Sequence, residues 1–349
     1  MAEDGRVVWE ARSGKIDLGL DGGEVRSKLA KGAGGENGDA AVIYATASIS
    51  LDEFPLEQLD PTQRVFVNRV LEWARKLADT YDAVQKDWRF RKPPLLRIFL
   101  GGSAGSGKST TLKTAVQHVR KLFRDRDTPA EVMLTAYTGV AAFNIGFGAR
   151  TACSTFQIFP NATWKNELSG EEFRKLERTW KNVELLIVDE VSFIGQAFFA
   201  RMHHRMQQGR RAYFSEAGLQ EPQHSFGNIS IILVGDFGQL EPIDDWSLCD
   251  YEATYATCPA QLRHLWRHAQ YGKTLLGTFK EAVMLEQIHR SKEDMWWTES
   301  CLRLRDFTMD HWDDYRKWYT HDLRHDGHFS KDQKMYFENK AVWLCARCE

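Results

Sequence analysis

No apolar run in the 349-residue chain approaches the roughly 20 residues of a membrane span, and "MAEDGRVVWE" lacks the basic and then apolar regions of a secretory leader. Cysteine is scarce. Six are spread thinly along the chain, which fits free thiols in a reducing compartment rather than a disulfide framework. The one close pair, Cys345 and Cys348 in "WLCARCE", would need two further ligands for zinc or its own fold for redox work, and reads as two thiols near a strand end. These absences predict a soluble, intracellular protein with no membrane partner. Net charge is nearly absent as well: −2 gives no global attraction to a polyanion, although a locally basic groove is compatible with it. There is no internal repeat. A GTP switch lacks support: there is no N-K-x-D sequence, since Asn339-Lys340 continues as Ala-Val.

Apolar content of 43% and charge of 27% are ordinary for a globular protein, and the length allows two domains. Residues 1–52, with the glycine-rich "KGAGGENGD", read as a disordered leader holding at most a short strand around "AAVIYATA". Order is expected to begin at "LDPTQRVFVNRVLEWARKL". Asp60 suits an N-cap and Pro61 the first helical position, and Val65, Phe66 or Val67, Val70, Leu71 and Ala74 form an apolar stripe.

From there "LLRIFL", "EVMLTA", "VELLIVDE" and "ISIILVGD" read as strands separated by helical segments such as "STTLKTAVQHVRKLF". Strands that are apolar throughout and alternate with helices predict an α/β fold, a parallel sheet covered on both faces. Ligands of such sheets sit at the carboxyl ends of the strands, and each of these four strands ends in a polar cluster.

The first cluster is "GSAGSGKST". Its G-x-x-x-x-G-K-[ST] pattern lies between strand and helix, the context in which glycines let backbone N–H groups curl around phosphate oxygens. Gly102, Ser103, Ala104, Gly105, Ser106, Gly107, Lys108, Ser109 and Thr110 are the candidate nucleotide-binding residues. Lys108 is expected at the β- and γ-phosphates and Ser109 at Mg²⁺. The second cluster is Asp189-Glu190 at the end of "LLIVDE". Asp189 is expected to hold the Mg²⁺ shell and Glu190 to orient and deprotonate the attacking water. ATP and Mg²⁺ are thus the expected cofactors. On spacing alone "TAYTGVAAFNIG" is an ordinary strand-to-helix turn, although its small residues would let a nucleic-acid strand approach the backbone. In "GDFGQLEPI", Gln239 could sense the γ-phosphate and report to a second site.

Four blocks in order, "GSAGSGKST", "TAYTGVAAFNIG", "IVDEVSFIG" and "GDFGQLEPI", resemble the petite-integration-frequency (PIF) family of superfamily-one DNA helicases, especially those of Helitron-type mobile elements. "FKEAVMLEQIHRS" resembles the motif opening the family's second half, and Gln63 in "LDPTQ" resembles its adenine-reading glutamine. The likeness covers about residues 55–349.

It implies a RecA-like P-loop NTPase domain over 53–290, with a small inserted subdomain at 151–183 and single-stranded or forked DNA crossing the upper face. Carried over, Gln63 selects adenine, and Thr138, Gly139 and Asn144 lie along the DNA, with Phe156 a further stacking candidate. Gln239 couples the two sites and Arg290 reaches the γ-phosphate as an arginine finger. The activity implied is ATP-dependent, 5′-to-3′ translocation and unwinding.

Several positions depart from the family pattern. Tyr137 and Glu241 stand for usual prolines, Phe193 for a usual methionine and Cys153 for a common histidine. Residues 291–349 read as the truncated start of a second RecA-like domain, the rest of which is expected in a longer form. The competing expectation is a degenerate mobile-element remnant that binds nucleotide or DNA without productive turnover.

Overall fold

A computed structural model describes residues 54–84, 92–159, 164–216, 225–250, 258, 260–289 and 295–305. The leader, Arg290, the Cys345–Cys348 pair and most of the expected second-domain start lie outside the described residues. The chain divides into two compact units. One runs to Gly102 and resumes from Lys108 to Leu285; the other joins residues 103–107 to those from Glu286 onward. The first unit therefore ends at Leu285 rather than at 290.

The first unit opens on helix α1, Pro61–Val84. Its start is a capping box. Asp60 Oδ1 accepts the N–H groups of Thr62 and Gln63 at 2.8 and 2.9 Å, while Gln63 Oε1 accepts the Asp60 N–H at 3.1 Å. Phe66, Val67, Val70, Leu71, Ala74 and Leu77 are buried at helical spacing. Val65 does not belong to that stripe: it is 61% exposed, one position too early to face the sheet.

The expected strands form as β1 (Arg97–Gly102), β2 (Glu131–Ala136), β4 (Val183–Asp189) and β5 (Ser230–Gly235). Two further strands complete the sheet, β3 (Arg150–Thr151) and β6 (Glu281–Leu285). The order is β3-β2-β4-β5-β1-β6, and every pairing is parallel. The segment "EAVML", expected to open the family's second half, thus forms the edge of this sheet, with Ile98 opposite Glu281 and Gly102 opposite Leu285.

Alternation along the strands explains why they read as unbroken apolar runs. Leu185, Ile187, Ile232 and Val234 face one core, shared with α1 and with α2 (Lys108–Asp125) through Leu112, Val116 and Val119. Leu186, Val188, Ile231 and Leu233 face the other. That second core includes α5 (Gly170–Trp180) and α6 (Gln196–Glu216) through Trp180, Phe199 and Met202. With both faces covered, most strand positions must be apolar.

Helices α3 (Gly139–Ile145) and α4 (Ala152–Phe156) follow β2 and β3. Helix α7 (Trp266–Leu276) packs so closely on α6 that a Cβ at Gly272 would run into the Gln196 carbonyl. The stretch expected as an inserted subdomain, 151–183, shares the second core: Phe156, Ile158, Leu168 and Trp180 pack with Val188 and Leu233. In the second unit the described helix is α8, Met295–Arg305.

Candidate active site

Parallel pairing brings the carboxyl ends of β4, β5 and β2 to one edge of the first unit. Helix α2 starts there, at Lys108. Its Nζ donates to the Gly102 carbonyl at 2.6 Å, and Ser109 and Thr110 follow as exposed hydroxyls in the first helical turn.

Asp189 ends β4 and is 8% exposed. Its Oδ1 accepts the Glu190 N–H at 2.9 Å, and among the described residues no cation lies within ion-pair distance. Burial pushes its carboxyl up to about 6; the neighbouring Glu190 charge adds to this, and the Glu190 N–H bond and Lys108 oppose it. Glu190 itself sits at φ 53, ψ 49, the left-handed region that a residue with a side chain rarely adopts. That turn sends the carboxylate after β4 away from the path a continued strand would take.

Asp236 follows β5, is 4% exposed, and accepts the Gly238 N–H on Oδ1 at 2.9 Å. Its carbonyl accepts the Gln239 N–H at 3.1 Å, a tight turn that leaves the Gln239 side chain exposed. After β2, Thr138 caps α3, its Oγ1 accepting the Ala141 N–H at 3.1 Å. Gly139 and Asn144 are exposed on that helix, and nothing lies within 4 Å of a Cβ built on Gly139. Close packing within the protein therefore does not require a glycine there.

The phosphate loop proper, residues 103–107, belongs to the second unit. Gly105 and Gly107 stand at φ 85 and 84, where glycine alone is unstrained. The Ser106 N–H donates to the Ser103 carbonyl at 3.2 Å, and the His289 N–H donates to the Gly105 carbonyl at 2.9 Å.

One expectation changes on contact with the structure, and another gains a second role. Phe156 is fully buried and stacks on Trp180 at 5.3 Å, so it is a core residue and no base can reach it. Gln63, expected at adenine, is 3% exposed and its carboxamide oxygen closes the capping box of α1. The departures from the family pattern also turn out to be neighbours. Tyr137 stacks on Phe193, ring centres 6.2 Å apart, and Phe193 and Glu241 line an open cavity of about 700 Å³ with Gln239. Tyr137 also meets Phe198 edge-on, ring centres 5.6 Å apart. Cys153 is half-buried, and burial pushes its thiol up, away from reactivity.

The fit of a magnesium nucleotide can be judged on the donors. Among the described residues no three His, Cys, Asp or Glu side chains converge as an all-protein metal site would need. Mg²⁺ needs none such: one carboxylate, one hydroxyl and phosphate oxygens complete its shell with water. Asp189, buried and without a cation, has the character such a site requires.

The model of the family described as PIF1-like helicase matches residues 78–271, more than half of the chain. The chain belongs to the PIF1-like helicase family. It is 26% identical over 215 residues to the ATP-dependent DNA helicase PIF1 of Candida albicans, covering 60% of this chain and 21% of that one. It is 31% identical over 194 residues to the PIF1 helicase of Danio rerio, covering 55% and 26%. Among solved structures, the Pif1 helicase from Bacteroides in complex with ADP-AlF3 and ssDNA is similar at TM-score 0.46 and 22% identity, over 72% of this chain and 51% of that one. The chain spans about a fifth to a quarter of the length of these curated relatives. The narrower likeness to Helitron-type proteins rests on the quoted blocks alone. No described helix of this PIF1-like chain is long and apolar enough to cross a membrane.

Proposed function

We propose that the chain carries the ATP-hydrolysing module of a DNA helicase, which couples nucleotide turnover to 5′-to-3′ movement on single-stranded or forked DNA. The observation that carries this reading is the pair at the end of β4: a buried Asp189 with no ion pair among the described residues, and Glu190 held in a strained turn beside it. A purely structural carboxylate would have been paired at burial.

In this reading Lys108 and the glycine loop bind the phosphates, while Ser109 and Asp189 hold Mg²⁺. The ion supplies charge neutralisation at the β- and γ-phosphates when bound. Glu190 orients the attacking water and takes its proton. The bond from the Glu190 N–H to Asp189 Oδ1 ties the backbone of Glu190 to its neighbour. Gln239, exposed after β5, senses the γ-phosphate and passes the state of the nucleotide to the DNA side. Thr138, Gly139 and Asn144 line the DNA path on the exposed α3. Arg290 serves as arginine finger and Gln63 as adenine reader, both on the strength of the sequence motifs.

The test is ATP turnover with and without an oligodeoxynucleotide. Stimulation by single-stranded DNA that Glu190→Gln abolishes supports the reading. Nucleotide binding with no DNA-stimulated turnover would instead favour a degenerate, binding-only protein.

A further inference from the structure

A second polar cavity lies in the first unit, away from the ends of β4 and β5. It measures about 90 Å³ and is lined by Phe159, Trp164, Lys165, Glu172, Arg201 and Arg205 among others. Trp164 is its centre. The guanidinium carbons of Arg205 and Arg201 lie 4.2 and 5.0 Å from the indole, and the rings of His268 and His204 meet it edge-on at 5.8 and 5.9 Å.

The two arginines are used differently. Arg205 is 2% exposed and spent on the fold: it donates to the carbonyls of Lys165 at 2.7 Å and Asn166 at 3.1 Å, and to Gln208 Oε1 at 3.2 Å. Arg201, one helical turn earlier, has no hydrogen-bond acceptor among the described residues, and its Nε is buried without one. Asp245 is the carboxylate that attracts it, yet the oxygens of Asp245 are held by the N–H groups of Ala197, Phe198 and Trp246. Among the described residues Glu172 is the one carboxylate on the lining, 3.5 Å from Lys165. Among the described lining residues three cations face one carboxylate, with Asp245 and Glu167 attracting the arginines from outside it, and the Arg201 guanidinium lies over Trp164 with no hydrogen-bond acceptor from the described residues.

We propose that this cavity is a binding site for one phosphate of a nucleotide unit, held by the Arg201 guanidinium, with the adjoining base resting on Phe159 at the rim. A guanidinium matches two phosphate oxygens at once. The volume accommodates one tetrahedral anion and excludes a whole nucleotide, so the base must lie outside, where Phe159 is 55% exposed. The phosphate can come from a DNA strand or from a free nucleotide. The DNA case rests on the helicase reading; the free-nucleotide case does not.

The experiment is phenylglyoxal modification of the wild-type chain, read arginine by arginine by peptide mass spectrometry. The probes are a twelve-residue oligodeoxythymidylate, dTMP and inorganic phosphate. Selective protection of Arg201 by the oligonucleotide or by dTMP, and not by equimolar inorganic phosphate, is expected. Arg201→Gln, checked for folding by circular dichroism, should weaken oligonucleotide binding about tenfold and reduce the slope of log affinity against log salt by about 0.7. If the oligonucleotide binds by anisotropy while Arg201 reacts at its unprotected rate with every probe, the cavity proposal is overturned and the helicase reading stands. If the oligonucleotide does not bind but dTMP protects Arg201, the cavity takes free nucleotide and the helicase reading fails. Equal protection by phosphate and dTMP would overturn the nucleotide assignment.

Discussion

Glu184, near the start of β4, and Asp189, at its end, are both buried carboxylates on one strand, and the protein treats them in opposite ways. Glu184 Oε1 has Lys92 at 2.6 Å, Tyr81 at 3.2 Å and Arg210 at 3.3 Å. Arg210 in turn donates to the carbonyls of Trp180, Lys181 and Val183. Asp189 has a single backbone N–H and no ion pair among the described residues, and its carboxyl is pushed up to about 6. One edge of the sheet is closed electrostatically; the other is left with an unmet demand for positive charge. Unmet demand costs stability and is what a cationic ligand can satisfy.

The largest effect should come from breaking the open edge. Glu190→Gln removes the proton acceptor while keeping shape, so DNA-stimulated ATP turnover should fall by roughly 10²–10⁴-fold. Equilibrium nucleotide binding, measured with a fluorescent ATP analogue, should change little. Turnover within threefold of wild type would remove Glu190 from the mechanism.

Breaking the closed edge should act on stability instead. Arg210→Met leaves Glu184 buried with only part of its neutralising charge, at a cost of about 3 kcal/mol. The urea midpoint should drop accordingly, while the residual folded protein keeps its nucleotide affinity. An unchanged midpoint would mean that Lys92 alone satisfies Glu184.

The same comparison gives Asp189→Asn the opposite sign. The folded carboxyl titrates near 6 and an unfolded one near 3.8, so between these values the folded state keeps a proton that the unfolded state releases. Stability from this group is therefore present at low pH and lost as pH rises through 6. Asparagine removes that loss, and the variant should be more stable at pH 7.5, by about 3 kcal/mol without Mg²⁺. The gap between variant and wild type should close toward pH 4. A gap that is constant with pH would rule out the buried, unpaired carboxyl.

Most of this scaffold is legible in the sequence because strands covered on both faces must be apolar throughout, and the four runs so read are the four central strands. The edge strands escape that logic. β3 is two residues long, and four of the five residues of β6 are not buried, so neither shows a continuous run. Phe156 misleads because a motif position says nothing about which side of a short helix faces the core. The Trp164 cavity leaves no local signal at all, since Phe159, Arg201 and His268 are far apart in the chain and meet only on folding.

Gln63 shows why a motif and a fold can share one residue. The sequence D-x-x-Q is both a capping box and the likeness to an adenine reader, and the structure puts the carboxamide oxygen on the Asp60 N–H. Gln63→Ala would confuse the two roles, costing roughly 1 kcal/mol of helix start whatever happens at adenine. Gln63→Glu separates them. A glutamate at this position still accepts from the Asp60 N–H, because capping boxes use Glu and Gln alike, but it has no amide donor and carries a charge. Because the site is buried, the new charge costs stability as it does at Asp189, and the thermal midpoint should fall by several degrees, a loss read separately from nucleotide preference. If Gln63 reads adenine, the preference for ATP over GTP should narrow several-fold in the same protein. A folded variant that keeps its full preference for ATP would assign Gln63 to the helix cap alone.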